Sequence, residues 1–173
     1  MVSVPSRELA ESVRATGYAG YILRYDGMYY VVATLSATNG EAQSHAGSFE
    51  ERGVSAGVLT AERLYFELEN YNAESNSRLY GQNIDSLDSI ISELYDCAEI
   101  LQREGASSVR EKMISLHNEI AAMCVENISN CFTRPLSELA VLSAECAYGI
   151  IHIRNIRYLA TAVADVVMNI SLT

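Results

Sequence analysis

The side chains able to do chemistry in this chain are three histidines, four cysteines, a single lysine, a scatter of carboxylates and eleven tyrosines. His45, His117 and His152 fall on three different helical stretches. None has Cys, Asp or Glu at metal-ligand spacing, so each reads as a helix-surface or boundary residue rather than a ligand or a base. Cys97, Cys124, Cys131 and Cys146 form no Cys-x-x-Cys pair, which argues against zinc. They read as small apolar residues of helix cores, with one or two interhelical disulfides as the alternative if the protein is exported. Lys112 lies in Arg110-Glu111-Lys112 and reads as solvated. Asp85 with Asp88, and Glu8 with Glu11, lie one helical turn apart, but carboxylates near helix starts serve capping and the helix dipole. Arg154 and Arg157 share a helical face and could pair with Glu138, Glu145 or an acidic partner. No phosphate-binding loop, dinucleotide fingerprint, nucleophile elbow or His-Glu-x-x-His occurs. The expectation is a noncatalytic protein with no metal and no cofactor.

Composition narrows the partners. The chain has 173 residues, 49% of them apolar and 20% charged, which suits a folded core. A net charge of −10 repels phosphate backbones and acidic lipids, so nucleic acid is not an expected partner. The most apolar region, 136–172, is interrupted by Glu138, Glu145, His152, Arg154, Arg157 and Asp165, and reads as no membrane span. Arg7, Glu8, Glu11 and Arg14 break up any signal-peptide core. The expected location is extracytoplasmic with a membrane anchor if the chain is a truncated piece of a longer one, and cytoplasmic otherwise.

The elements that must position these residues divide into two halves. Eight tyrosines precede residue 81 and all four cysteines follow it. Residues 1–16 read as an N-terminal helix or arm. Gly20 to Leu35 reads as a β-hairpin turning at Asp26-Gly27, because a type I′ turn needs positive φ at both central positions. Thr38-Asn-Gly-Glu41 has capping-box spacing and opens a helix over 39–52 that Gly53 ends. Val54–Leu59 and Arg63–Glu69 read as further strands, giving β-β-α-β-β over 17–70. Asn-rich and Ser-rich residues 71–83 read as a connection, with a helical second part around Arg78 to Tyr80 as the alternative.

Three helices are then expected over 84–173. Ile84, Leu87, Ile91, Leu94, Ala98 and Leu101 make the first stripe. Ser108-Val-Arg-Glu111 reads as a second capping box, followed by Val109, Met113, Leu116, Ile120, Met123 and Ile128. Thr133 is the expected cap of a third helix from Arg134 to about Ser171, with Pro135 in its first turn and a break near His152–Asn155. The expected fold class is therefore α+β: a small antiparallel or mixed sheet followed by a three-helix bundle.

The hairpin register places Ile22, Tyr29, Val31, Ala33 and Leu35 on one face. Tyr21, Leu23, Tyr25, Met28, Tyr30, Val32 and Thr34 lie on the other. The helix over 39–52 is expected to cover the aliphatic face. Tyr29-Tyr-Val-Val-Ala-Thr-Leu-Ser36, then Glu41-Ala42, then Glu51-Arg-Gly-Val-Ser-Ala-Gly-Val58 resembles the sporulation-related repeat (SPOR) domain, over about residues 17–68. Gly20-Tyr-Ile is similar to the entry of SPOR-type proteins of spore-forming Gram-positive bacteria. The resemblance implies a bacterial cell-envelope module that binds peptidoglycan glycan strands, or another envelope protein, on the open face of its sheet. Carried onto this chain, that face is Tyr21, Tyr25, Tyr30 and Thr34. Tyrosine offers a ring for a sugar face and a hydroxyl for its rim. Val32 and Thr34 replace the polar residue and glycine frequent in the family, which makes the face drier and favours packing against helices. The alternative reading is a structural protein that oligomerises through its helical half and binds no glycan.

Overall fold

The structure, a computed structural model, describes residues 4–60, 74–128 and 131–170. Among the described residues there are six α-helices and a single two-stranded sheet. In chain order these are α1 (Val4–Ala15), β1 (Tyr21–Tyr25), β2 (Met28–Val32), α2 (Asn39–Glu50), α3 (Glu74–Glu104), α4 (Arg110–Glu126), α5 (Thr133–Tyr148) and α6 (Ile153–Asn169), with a 3-10 turn at Ala106–Ser108. The expected α+β class is thus corrected: the fold is mostly helical, and neither the β-β-α-β-β sheet nor the three-helix bundle forms.

The hairpin itself forms as its turn chemistry dictates. Asp26 and Gly27 take φ of 48° and 72°, and Tyr21 to Tyr25 pair with Val32 to Met28 in antiparallel register. The α2 capping box is also present: Thr38 Oγ1 accepts from the Glu41 N–H at 3.2 Å, and the Glu41 carboxylate accepts from the Thr38 N–H at 3.3 Å. Gly53, at φ 77°, closes the helix. Its N–H bonds the Glu50 carbonyl and that of Val54 bonds the Phe49 carbonyl, the Schellman pattern.

Among the described residues the sheet has two strands, and Val54–Leu59 finds no neighbour there. That segment runs on without a ladder, and Val58 and Leu59 stay exposed. Strand composition alone does not hold a strand whose amides have no partner. The expected strand at 63–69 lies outside the described residues. Nor does α2 cover the aliphatic face of the hairpin. Phe49 and His45 instead meet the ring of Tyr18, and Glu41 accepts from the Tyr95 hydroxyl of α3 at 2.9 Å. The helix lying along the hairpin on its own side is α1. Gly20, at φ 57°, passes so close to the Ala10 carbonyl that a Cβ there would collide with it.

The core sits among α3–α6, with α3 packed along α6 and α4 along α5. Ile84, Leu87, Leu94, Ile90 and Cys97 line α3's buried side. Polar residues 74–83 join α3 rather than a connection, because tertiary contacts recruit them. Tyr80 stacks on Phe132 at 5.4 Å between ring centres, and Asn83 meets Asn127. The second capping box does not form: Val109 occupies the N-cap of α4 without a side-chain bond. Thr133 caps nothing either, its hydroxyl donating to the Asn127 carbonyl at 2.7 Å. The long third helix divides at Gly149–His152 into α5 and α6. Arg110 closes the end of α5 by donating to the Ala147 and Gly149 carbonyls at 3.0 and 3.4 Å.

Asn83 and Asn127 form a reciprocal amide pair at 2.6 and 3.1 Å, both side chains buried, which pins α3 to the α4–α5 turn. Truncating one amide removes both bonds of the pair from the other, which stays buried; Asn127 Nδ2 keeps its bond to the Met123 carbonyl at 2.7 Å. Asn83→Ala is expected to cost roughly 1–3 kcal/mol in urea unfolding. The double variant with Asn127→Ala should cost clearly less than the sum of the two singles; additive losses would show that the amides act separately.

Candidate functional site

Tyr21 looks inward. Its hydroxyl donates to Asp165 Oδ2 at 2.5 Å, and its ring stands edge-on to Tyr158 at 5.0 Å. Leu23, two residues on and on the same face, is buried. Asn169 Nδ2 donates to Asp165 Oδ1 at 2.5 Å and to the Arg24 carbonyl at 3.2 Å, tying the end of α6 to β1. The tyrosine-bearing face of the hairpin therefore lies on α6. Tyr25 and Tyr30 are half-buried. Thr34 sits beyond the end of β2, half-buried, with its hydroxyl turned to the Leu35 carbonyl at 3.0 Å. Tyr21 lines a cleft with Tyr158 and Asp165, Thr34 lines a separate groove, and Tyr25 and Tyr30 line neither of the two. The exposed side chains of the hairpin strands are Arg24, Met28 and Tyr29.

The partners of that face, Tyr158 and Asp165, were not singled out by sequence. A signal existed: Arg157, Tyr158, Thr161, Asp165 and Asn169 recur at three and four along an otherwise apolar helix, the mark of a polar stripe facing something specific.

A groove of about 420 Å³ lies next to Thr34. The chain after β2, His45 of α2, the middle of α3 and the first turns of α6 enclose it. Its apolar lining is Leu35, Ile91, Leu94, Ala98 and Ala160. Its polar lining includes Tyr95 and Arg157. Arg157 does not pair with Glu138 or Glu145. Its Nη1 donates to the Gly17 carbonyl at 3.1 Å, and its guanidinium lies 4.7 Å over the Tyr18 ring. Burial lowers its pKa from the ordinary value. Tyr95 is pushed up to about 12, by burial and then by its hydrogen bond to Glu41.

The other reactive groups are committed to packing. His117 Nδ1 meets Ser143 Oγ at 2.9 Å, but Ser143 is fully buried and already donates to the Ala140 carbonyl. All four cysteines are free. Burial pushes the Cys97 and Cys146 thiols up to about 11 and about 12, so both stay protonated at neutral pH. Lys112 reaches across to Glu93 and Asp96 of α3 at 3.8 and 3.9 Å. Among the described residues no His, Cys, Asp and Glu cluster could hold a metal, and no helix is long and apolar enough to cross a membrane.

Five exposed large apolar side chains lie on α4 and α5 or just beyond their ends. His117 touches Tyr148 edge-on at 5.4 Å, which fixes the side on which both stand. Val141 lies seven residues before Tyr148, so the two share a side of α5. Val125, Val141 and Tyr148 are 71%, 60% and 63% exposed, and Ile128 and Ile150, just beyond the helix ends, are 71% and 76% exposed. Comparison with protein-family models, with curated proteins and with solved structures yields no match.

Tyr21 carries a pH-dependent prediction. Burial first, and then the bond to Asp165, raise its phenol well above the ordinary value of 10.0. A pKa higher in the folded state gives stability that is complete below the unfolded value and lost as pH rises beyond it, because unfolding then releases a proton. Stability should accordingly fall above about pH 10. Tyr21→Phe should cost roughly 1–2 kcal/mol at neutral pH and lessen that alkaline fall, leaving the parts due to Tyr95, Cys97 and Cys146. Thermal melts across alkaline pH measure this, and an unchanged alkaline limb would refute the Tyr21 assignment.

Proposed function

We propose that the protein is a noncatalytic interaction module that self-associates through the outer face of α4 and α5. The observation carrying this reading is that five large apolar side chains, Val125, Ile128, Val141, Tyr148 and Ile150, stay exposed on this helix pair and just beyond its ends. An antiparallel helix pair can meet its own copy about a twofold axis, each helix packing into the groove of the other molecule, and so complete a four-helix arrangement. Ala121, Ala122, Ala140 and Ala144 keep the surface between the larger side chains low enough for close approach. Of the two functional readings of the sequence, glycan binding is the less supported, because Tyr21 is engaged by α6.

Charge sets the conditions. With a net charge of −10, two copies repel, and salt screens that repulsion. Light scattering should give a mass near twice 19.0 kDa at high protein concentration, with dimerisation strengthened by added salt. The pair Val141→Asp with Tyr148→Asp places charge at exposed positions that the fold does not need, and should return the mass to 19.0 kDa with the helical signal intact. A monomeric unsubstituted protein at high concentration, or a dimer untouched by both aspartates, would sink the proposal.

A further inference from the structure

The groove beside Thr34 carries a second inference, independent of how copies of the chain meet. A guanidinium stays charged at every accessible pH, and a half-buried one is costly unless it is paired. In a chain with 22 acidic residues, Arg157 has no carboxylate within salt-bridge distance among the described residues. One of its nitrogens is held by the Gly17 carbonyl, and its plane rests on Tyr18. These contacts fix the group in place and leave further N–H donors beside the groove. Tyr95, also in the lining, has its hydroxyl turned away to Glu41.

The groove's size falls within the range of small-molecule sites. Its charges are unevenly arranged. Asp88 and Glu99 lie along α3 with exposed side chains, whereas Arg157 lies on α6. Eleven residues apart, the two carboxylates stand about 16 Å from each other along the helix. A doubly charged anion would be repelled by them. A neutral hydrocarbon would leave the guanidinium unmatched. A ligand with one anionic end and an apolar body matches the guanidinium and the apolar lining together. We propose that this groove binds a small amphiphilic carboxylate, its head on Arg157 and its chain along Leu35, Ile91, Leu94, Ala98 and Ala160.

Calorimetric titration of the full chain with sodium decanoate, and separately with decanol, tests this. Decanoate should bind one per chain, and decanol at least tenfold more weakly. Arg157→Gln should weaken decanoate by roughly 10- to 100-fold while leaving decanol unchanged, and Arg157→Lys should restore part of the loss. Because Arg157 also braces Gly17, Ala98→Met provides a variant that leaves that contact alone and fills the groove floor; it should abolish binding of both probes with the helical signal unchanged. No decanoate binding at millimolar concentration, equal affinity for decanol, or full binding to the folded Ala98→Met variant would each overturn the proposal.

Discussion

Six consecutive residues of α6, Leu159 to Ala164, are buried, and this one constraint organises the rest of the molecule. A helix buried on every side needs cover on every side. Helix α3 supplies one wall, α5 a second and β1 a third. The small residues Ala160, Thr161, Ala162 and Ala164 let these neighbours come close, and the Thr161 hydroxyl is satisfied within the helix by the Arg157 carbonyl at 2.9 Å. A lone two-stranded hairpin is marginal in water. Here it persists because Leu23 and Tyr21 lie on α6 while α1 lies alongside. The hairpin is thus a cover for the central helix.

That arrangement decides which surfaces remain for other molecules. Tyr21 is held by its hydrogen bond to Asp165 and against the Tyr158 ring, at the edge of a cleft of about 360 Å³ between α5 and α6. The outer side of α4 and α5 is left bare, because those helices bury Met113, Leu116, Ile120, Leu136 and Leu139 toward the core and have no element on their other side among the described residues. Where the hairpin ends and the chain turns toward α2, α3 and α6 leave a groove that Leu35 only partly closes. Both surfaces follow from the same geometry: the middle of one helix is buried, and the layer around it is incomplete on the outside and at one corner.

Local chemistry was legible in the sequence where it depended on a few adjacent residues. Asp26-Gly27 set the hairpin and its register, Thr38 and Glu41 the start of α2, and Gly53 its end. The spacing of Ile84, Leu87 and Leu94 marked the core side of α3. Features that depend on distant partners were not legible. Val54–Leu59 has strand composition but no neighbouring strand among the described residues, and residues 74–83 have loop composition but join α3, with Tyr80 on Phe132 and Asn83 on Asn127. Ser108 was a plausible cap that a 3-10 turn displaced. For the site, faces were assigned correctly by alternation, yet nothing in alternation says whether Tyr21 meets solvent or Asp165 across 144 positions of sequence.

The dependence of the central helix on its hairpin cover can be measured by native-state hydrogen exchange. If the hairpin and α6 are one cooperative unit, the ladder amides of β1 and β2 and the amides of Leu159 to Ala164 should exchange with the same opening free energy, that of global unfolding. Hairpin amides exchanging at the rate of an unstructured peptide, with Leu159 to Ala164 still protected, would contradict the account and show that the helix needs no such cover.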